Sequence, residues 1–164
     1  MCGGDARPHL EHRVGEQRST DATGHLSDAV RRMFLCTHNA GRSQMALGFF
    51  RHHAGDTAIG WSGGSEPGNE VNPSAIAAMA ERGIDISQEY PKPWTDETVR
   101  AADVVITMGC GDACPIFPGK RYEEWVLDDP HGLDVEATRP IRDEIERRII
   151  ALLTGLHVPE ATTA

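Results

Sequence analysis

Positive charge is scarce in this chain. Across 164 residues, 16 Lys and Arg stand against 25 Asp and Glu, which gives a formal net charge of −9. An acidic protein of this kind is a poor partner for nucleic acid or for an acidic membrane surface. The sequence also lacks an apolar run long enough to span a bilayer, and its N-terminus lacks the apolar segment of a signal peptide. We therefore expect a cytoplasmic protein that binds neither nucleic acid nor membrane.

Cysteine is sparse as well, with only Cys2, Cys36, Cys110 and Cys114. Four clustered cysteines do not make the disulfide framework of a small secreted domain, and in a reducing cytosol they indicate redox chemistry or metal binding. Structural zinc favours four thiolate or imidazole ligands, whereas only two cysteines share the loop that contains Cys110 and Cys114. We therefore predict no bound metal and no bound cofactor.

The length allows one domain with a sound core and is too short for two domains of ordinary size. Residues 1–28 are polar and show almost no hydrophobic periodicity, so we predict a flexible N-terminal tail there. Residues 29–158 should form the domain, and residues 159–164 a short C-terminal tail.

Strand patterns alternate with helical patterns along the domain. Strands are predicted at residues 33–35, 57–62, 103–108 and 122–127. Gly55 and Gly83 are placed to end helices, whereas Asn72 is a typical N-cap before a helical proline. The alternation indicates an α/β fold around a parallel sheet with right-handed crossovers. Because ligands bind beyond the carboxyl ends of such strands, the loops after the first, third and fourth strands should open on one edge.

Three shorter patterns refine the helices. Thr95 begins a short capped helix that should end near Ala102. The second helix should bury one apolar face, and the last helix should bury a stripe of aliphatic side chains. The members of the apolar face are Ala75, Ile76, Met79 and Ala80, and those of the stripe are Ile141, Ile145, Ile149, Leu152, Leu153 and Leu156.

The segment Cys36-Thr37-His38-Asn39-Ala40-Gly41-Arg42-Ser43 joins the first predicted strand to a helix. Unpaired N–H groups and the helix dipole at such a junction favour a bound anion, and a guanidinium adds a planar fork for two oxygens of a tetrahedral ligand. The same field favours the thiolate form of Cys36, to which Ser43 can donate. We therefore predict a nucleophilic Cys36. The predicted oxyanion-binding residues are Thr37, His38, Asn39, Ala40, Gly41 and Arg42.

Attack by Cys36 on a tetrahedral oxyanion needs an acid for the departing oxygen. Asp129, held by Pro130, is the candidate, with Asp128 as the alternative. Cys110 and Cys114 are four residues apart, which on a helical turn brings their Cα atoms within disulfide range. A thiol of this pair can attack a sulfur on Cys36 and then be resolved by its neighbour.

The sequence resembles arsenate reductases built on the low-molecular-weight phosphotyrosine phosphatase fold. The resemblance extends over residues 33–156 and is carried by four segments: residues 36–43 with the following Gln-Met-Ala, Asn72-Pro73 with residues 83–86, residues 108–115, and Asp129-Pro130. It implies a three-layer sandwich, with a central four-stranded parallel sheet and helices on both faces. It also implies that Cys36 is the nucleophile, Arg42 binds the oxyanion, Ser43 stabilises the thiolate, Asn39 shapes the loop and Asp129 is the acid.

The resemblance implies reduction of arsenate to arsenite, with phosphate and sulfate as substrate analogues. We expect a monomer. Electrons would pass through Cys110 and Cys114 to thioredoxin. Alternatives are attack on the arsenylated Cys36 by mycothiol, completed by a mycoredoxin, a protein-tyrosine phosphatase, or a module that only binds oxyanions. Some members bind potassium with a glutamate at the position of Leu47, so we predict no ion here.

Overall fold

The structure is a computed structural model that describes residues 30–109 and 116–155. The predicted tails, the aliphatic Leu156 and the cysteines Cys2, Cys110 and Cys114 lie outside the described residues. In chain order the elements are β1 (Val30–Cys36), α1 (Arg42–Ala54), β2 (Ala58–Gly64), α2 (Pro73–Ala80), α3 (Asp96–Ala101), β3 (Val104–Met108), β4 (Arg121–Glu124) and α4 (Val135–Gly155).

The four strands form one parallel sheet in the order β2-β1-β3-β4. The alternation of strands and helices predicted this arrangement, and the predicted α/β fold is confirmed. β1 lies inside the sheet, between β2 and β3, and its last residue, Cys36, is paired with Gly64 on one side and Met108 on the other. The sheet therefore delivers Cys36 to its carboxyl edge between two neighbouring strands.

Alternate side chains of β1 enter two hydrophobic cores, because successive residues of a strand point to opposite faces. Phe34 and Cys36 lie in the larger core, which packs against α1, α2 and α4. Met33 and Leu35 lie in the smaller core, which includes Val99 of α3. Helices therefore cover both faces of the sheet, as the resemblance implied.

The predicted helix ends are confirmed where capping groups mark them. The Asn72 side chain accepts a hydrogen bond from the Ser74 N–H at the start of α2. Thr95 and Thr98 form a reciprocal capping box at the start of α3. Gly55 follows α1 with φ +57° and Gly83 lies beyond α2 with φ +73°, both in the left-handed region that favours glycine.

Strand boundaries differ from the prediction: β1 extends over Val30–Cys36 rather than residues 33–35, and β3 begins at Val104 rather than residue 103. β4 covers Arg121–Glu124 rather than residues 122–127, because Val126 is 81% exposed and the chain leaves the sheet towards the acidic loop. β2 continues through Gly63 and Gly64, beyond the predicted end of the strand at residue 62. A Cβ at Gly63 would lie 2.7 Å from the Trp94 nitrogen, so this glycine allows close backbone packing within the strand rather than a turn.

The apolar face of α2 differs from the predicted one at a single member, Ala80, while Ile76 packs against the core as predicted. Ala75 and Met79 are buried as expected, but Ala80 is exposed and Ala78 is buried in its place. The reason is that the helix ends at Ala80, so this residue already faces solvent at the chain reversal. In α4 the stripe from Ile141 to Leu153 is buried as predicted. Within the described residues, no helix has the length and apolar character to cross a membrane.

Candidate active site

The loop between β1 and α1 forms a cradle of backbone amides, defined here as residues 36–42. Three of its carbonyl groups point away from the loop and accept hydrogen bonds at 2.8–2.9 Å from the segment after β2. The Thr37 carbonyl accepts from the Glu66 N–H, that of His38 from the Gly68 N–H, and that of Ala40 from the Asn72 N–H. Because N–H and C=O of one peptide unit point in opposite directions, the amides that follow these carbonyls turn towards the interior of the loop. The cradle thus presents donors at the N-terminus of α1, as expected for an oxyanion site.

Cys36 lies at the base of the cradle and is only 2% exposed. Its Sγ is 2.8 Å from the Ser43 Oγ and 3.2 Å from the Asn39 backbone nitrogen, which donates to it. Donors of this kind favour the charged form of a thiol. The structure therefore brings Cys36, Asn39 and Ser43 together as the sequence predicted.

Arg42 is the first residue of α1, and its side chain borders the same cleft as Cys36. It is 8% exposed, and its Nη2 lies 3.4 Å from Asp129 Oδ2. Gly109, directly after β3, packs on the guanidinium so closely that a Cβ there would lie 2.6 Å from Arg42 Nη1. The Gly109 carbonyl also accepts a hydrogen bond from Thr37 Oγ1 at 2.9 Å. The residue that precedes Cys110 is therefore in contact with the cradle.

Asp129 is held at the opposite wall of the cleft. Its Oδ1 accepts a hydrogen bond from the His131 N–H at 3.0 Å, and its side chain is 49% exposed. Pro130 is buried against the cradle, where a Cβ on Gly41 would lie 2.7 Å from its Cγ. Asp128 is exposed and is not among the residues that line the cleft. The geometry thus favours Asp129 over Asp128 as the group that can reach a bound oxyanion.

Asn72 connects the cradle to the loop that contains Asp129 and Pro130. Besides capping α2, it donates from Nδ2 to the Pro130 carbonyl at 3.1 Å, and its backbone N–H bonds to the Ala40 carbonyl at 2.8 Å. The sequence identified Asn72 only as a helix cap. Its second role depends on a loop 58 residues away, which local patterns do not reveal.

The cleft has a volume of about 810 Å³, far more than one tetrahedral oxyanion needs. Its lining mixes polar and apolar residues, and the His38 and His131 rings are 6.4 Å apart at their centroids. The lining residues are Cys36, His38, Ala40, Gly41, Arg42, Gly68, Asn69, Glu70, Asn72, Pro73, Ser74, Asp129, Pro130, His131, Gly132 and Leu133. None of these described residues is Phe, Tyr or Trp.

Two side chains behind the cradle were missed by sequence reasoning. Gln44 is 1% exposed, and its Nε2 contacts the Asn39 carbonyl at 3.1 Å. Gln44 directly follows Ser43 and is a polar residue in the buried first turn of α1, and this position could have marked it as part of the site. The Lys92 N–H donates to Asn39 Oδ1 at 3.1 Å, and its Nζ donates to Ser62 Oγ at 3.4 Å. Burial lowers the pKa of the Lys92 ammonium, although Glu89 opposes the shift. No local pattern marked Lys92.

Cys110 and Cys114 lie outside the described residues, so their distance from Cys36 stays a prediction. Among the described residues, no group of three or more His, Cys, Asp and Glu side chains is arranged to hold a metal ion.

A parallel α/β sheet with a cysteine and an arginine around an amide cradle defines an oxyanion-binding protein with a candidate thiol nucleophile. The chain belongs to the low molecular weight phosphotyrosine protein phosphatase family, whose model matches residues 31–161. An arsenate reductase of Halalkalibacterium halodurans is 43% identical over 126 residues, which cover 71% of this chain and 89% of that relative. The family expected from the sequence is confirmed.

Solved structures agree with this placement. A Corynebacterium glutamicum thioredoxin-dependent arsenate reductase, Cg_ArsC1', superposes with a TM-score of 0.68 at 42% identity, over 79% of this chain and 62% of that chain. The chain therefore spans less than two thirds of that relative. An arsenate reductase in the phosphate binding state superposes with a TM-score of 0.66 at 34% identity, over 77% of this chain and 98% of that one.

Proposed function

We propose that the protein is an arsenate reductase that acts through nucleophilic Cys36 and is regenerated through Cys110 and Cys114 by thioredoxin. The observation that carries this proposal is the buried Cys36 Sγ, 2.8 Å from Ser43 Oγ and at the base of an amide cradle bordered by Arg42. Support for the substrate and the reductant comes from relatives that are described as arsenate reductases, one of them thioredoxin-dependent.

In the first step the Cys36 thiolate attacks arsenic while Arg42 and the amides of residues 37–42 hold the oxygens of arsenate. An As–O bond breaks, and Asp129 gives its proton to the departing oxygen, which leaves as water. The product is a Cys36–S–As(V) adduct. What supports the position of this acid is that Asp129 Oδ2 lies 3.4 Å from Arg42 Nη2 and that both residues line the cleft with Cys36.

In the second step the Cys110 thiolate attacks the Cys36 sulfur. The S–As bond breaks and its electron pair passes to arsenic, so that As(V) leaves as arsenite and a Cys36–Cys110 disulfide remains. The Cys114 thiolate then attacks Cys110, which frees Cys36 and leaves a Cys110–Cys114 disulfide for the thioredoxin dithiol to reduce. Support comes from Gly109, which contacts Thr37 and Arg42 immediately before Cys110.

Regeneration is tested with the full chain and arsenate in two reconstituted systems, one with thioredoxin and its reductase and NADPH, the other with mycothiol and a mycoredoxin. We expect arsenate-dependent NADPH oxidation with thioredoxin, its loss in Cys36→Ser, Cys110→Ser and Cys114→Ser, and its retention in Cys2→Ser, the matched control. Turnover by the mycothiol system alone, unaffected by Cys110→Ser and Cys114→Ser, would refute the internal relay.

The order of attack is tested by trapping. After one equivalent of arsenate, Cys114→Ser should accumulate a Cys36–Cys110 disulfide, detected by mass spectrometry of non-reduced peptides. A Cys36–Cys114 bond in Cys110→Ser, with no Cys36–Cys110 bond in Cys114→Ser, would reverse the order.

A protein-tyrosine phosphatase is the second candidate, because the family carries that description. Binding of a phosphotyrosine ring favours an aromatic wall, and the cleft lining described above has none. We therefore expect at most weak turnover of aryl phosphates. Turnover of a phosphotyrosine peptide far above that of arsenate would overturn the assignment.

We further propose that the protein acts as a cytoplasmic monomer.

A further inference from the structure

Asn39 adopts a backbone conformation that needs support. Its φ of 49° lies in the left-handed region, and within the described ranges it is the one non-glycine residue with positive φ. This conformation is sterically unfavourable for residues other than glycine, although less so for asparagine than for most. The residue is fully buried, and its backbone N–H is one of the two donors to Cys36. The thiolate site therefore depends on keeping this turn.

The Lys92 backbone N–H settles which way the Asn39 amide faces. A backbone N–H can only donate, so the Asn39 atom 3.1 Å from it must be Oδ1. The Asn39 Nδ2 then faces Ser43 Oγ at 2.7 Å and donates to it. With that lone pair occupied, the Ser43 hydroxyl proton is available to Cys36 Sγ, 2.8 Å away. The orientation of Asn39 thus directs the hydroxyl donor onto the thiolate.

From these contacts we infer that Gln44 is a positioning residue for the reaction of Cys36. Its Nε2 lies 3.1 Å from three acceptors, which share its two hydrogens: the Asn39 carbonyl, Asn39 Oδ1 and the Tyr90 carbonyl. It therefore holds both the main chain and the side chain of Asn39, and ties them to the segment that contains Lys92. Gln44 acts through Asn39 and Ser43 and does not touch the substrate.

Simple core filling does not account for Gln44. It is 1% exposed, and its Oε1 has no hydrogen-bond partner among the described residues. A buried, unpaired amide oxygen costs free energy, and an aliphatic side chain of similar length would fill the space without that cost. What a glutamine adds at this position is the Nε2 donor group.

The test reads Cys36 directly, because this inference rests on Cys36 being the nucleophile of the proposed function. In a Cys2→Ser, Cys110→Ser, Cys114→Ser background, the rate of Cys36 alkylation by iodoacetamide is measured against pH. Gln44→Met should raise the pH midpoint by about half to one unit, the effect of weakening one hydrogen-bonded relay. Gln44→Glu should raise it further, because its carboxylate faces three acceptors. Gln88→Met, the same change at an exposed glutamine, should leave it unchanged.

Two further results decide whether Gln44 acts through the relay. In a Ser43→Ala background, Gln44→Met should produce a smaller shift of the midpoint, because only the route through the Asn39 backbone N–H to Cys36 remains. A fall in thermal stability with an unchanged midpoint, in Gln44→Met and in Gln44→Glu, would show a merely structural role and overturn the inference. If the unsubstituted protein does not reduce arsenate but the Gln44 variants still shift the pH midpoint of Cys36 alkylation, the proposed function is refuted and the role of Gln44 is supported.

Discussion

Asp129 and Asp128 are adjacent carboxylates with different surroundings. Only Asp129 lines the cleft and lies beside Arg42. Asp129→Asn should therefore lower kcat for arsenate by about 10²–10⁴, the contribution of a general acid. It should not weaken oxyanion binding, because it removes a negative charge from beside Arg42. Asp128→Asn is the matched control and should keep kcat within about twofold. Steady-state kinetics and phosphate inhibition constants measure both effects, and a larger loss in Asp128→Asn would contradict the assignment.

Arg32 is a buried cation at the opposite end of β1 from the active site. It is fully buried, its three guanidinium nitrogens have no hydrogen-bond partner among the described residues, and it lies 5.6 Å above the Phe50 ring. Burial lowers its pKa to about 10, and Asp103 opposes the shift. Because an unpaired buried charge costs more than an apolar side chain, Arg32→Met should raise the free energy of unfolding by about 1–3 kcal/mol.

Urea denaturation tests this prediction for Arg32→Met. Arg51→Met removes an exposed arginine paired with Glu89 and should change the free energy of unfolding by less than about 1 kcal/mol. A loss of stability in Arg32→Met larger than that in Arg51→Met would show that the buried guanidinium is stabilising.

At the scale of residues, the sequence identified what is contiguous. Cys36, Arg42 and Ser43 stand in one segment, and local chemistry alone predicts an anion site there. Lys92 was missed because its role depends on a tertiary contact, the bond to Asn39 across 53 residues. Gln44 was missed although it directly follows Ser43 and bonds to Asn39, five residues away. The following Pro130 favoured Asp129 over Asp128 in the sequence, and the structure supports that choice, because only Asp129 lines the cleft and lies beside Arg42.

The loop that begins at Gly109 is the element that connects β3 to the cradle. Gly109 has φ +86°, and a Cβ there would lie 2.6 Å from Arg42 Nη1. Gly109→Ala should therefore displace the guanidinium and weaken phosphate binding by about tenfold or more, the loss of one charge-assisted hydrogen bond. The measurement is phosphate protection of Cys36 against alkylation.

Gly119→Ala is the matched control for Gly109→Ala. Gly119 has a similar φ of +83°, but a Cβ there would have nothing within 4 Å. Gly119→Ala introduces the backbone strain of an alanine at positive φ without a steric clash, so it should lower stability and leave phosphate binding unchanged. Equal phosphate affinity in the two variants would show that Gly109 does not position Arg42.

Elements were predicted best where local chemistry marks their ends. The capping box of Thr95 and Thr98 and the cap of Asn72 fixed two helix starts. Strand ends were predicted less well, because pairing with a neighbour decides them. The apolar Trp125 and Val126 extend the strand pattern, yet the β3–β4 pairing ends at Glu124. The predicted second strand ends at residue 62, whereas Gly63 and Gly64 continue it and Gly63 allows close approach of the Trp94 backbone.

At the scale of the whole molecule, ion pairs link the helices on one face of the sheet. Arg139 and Arg142 of α4 bond to Glu81 beyond α2, and Arg82 bonds to Glu146 of α4 at 2.7 Å. Hydrogen bonds from Arg139 and then Arg142 lower the pKa of Glu81. Hydrogen bonds from Arg147 and Arg148 lower the pKa of Glu144 to about 2. These contacts lie away from the cradle, so they affect stability rather than chemistry.

The loss of Glu81 and Glu144 charge should lower the free energy of unfolding at acid pH. A carboxylate whose folded-state pKa lies below its unfolded value of about 4.3 stabilises the protein above that value. This contribution is lost as the pH falls from about 4.5 to about 2, through the folded pKa of Glu144. The urea midpoint should therefore decrease over this range, and Glu144→Gln should flatten part of the decrease. Glu124→Gln, at an exposed position for which the described residues give no ion pair, should not. A Glu144→Gln profile parallel to that of the unsubstituted protein from pH 2 to pH 7 would rule out a stabilising role for these ion pairs.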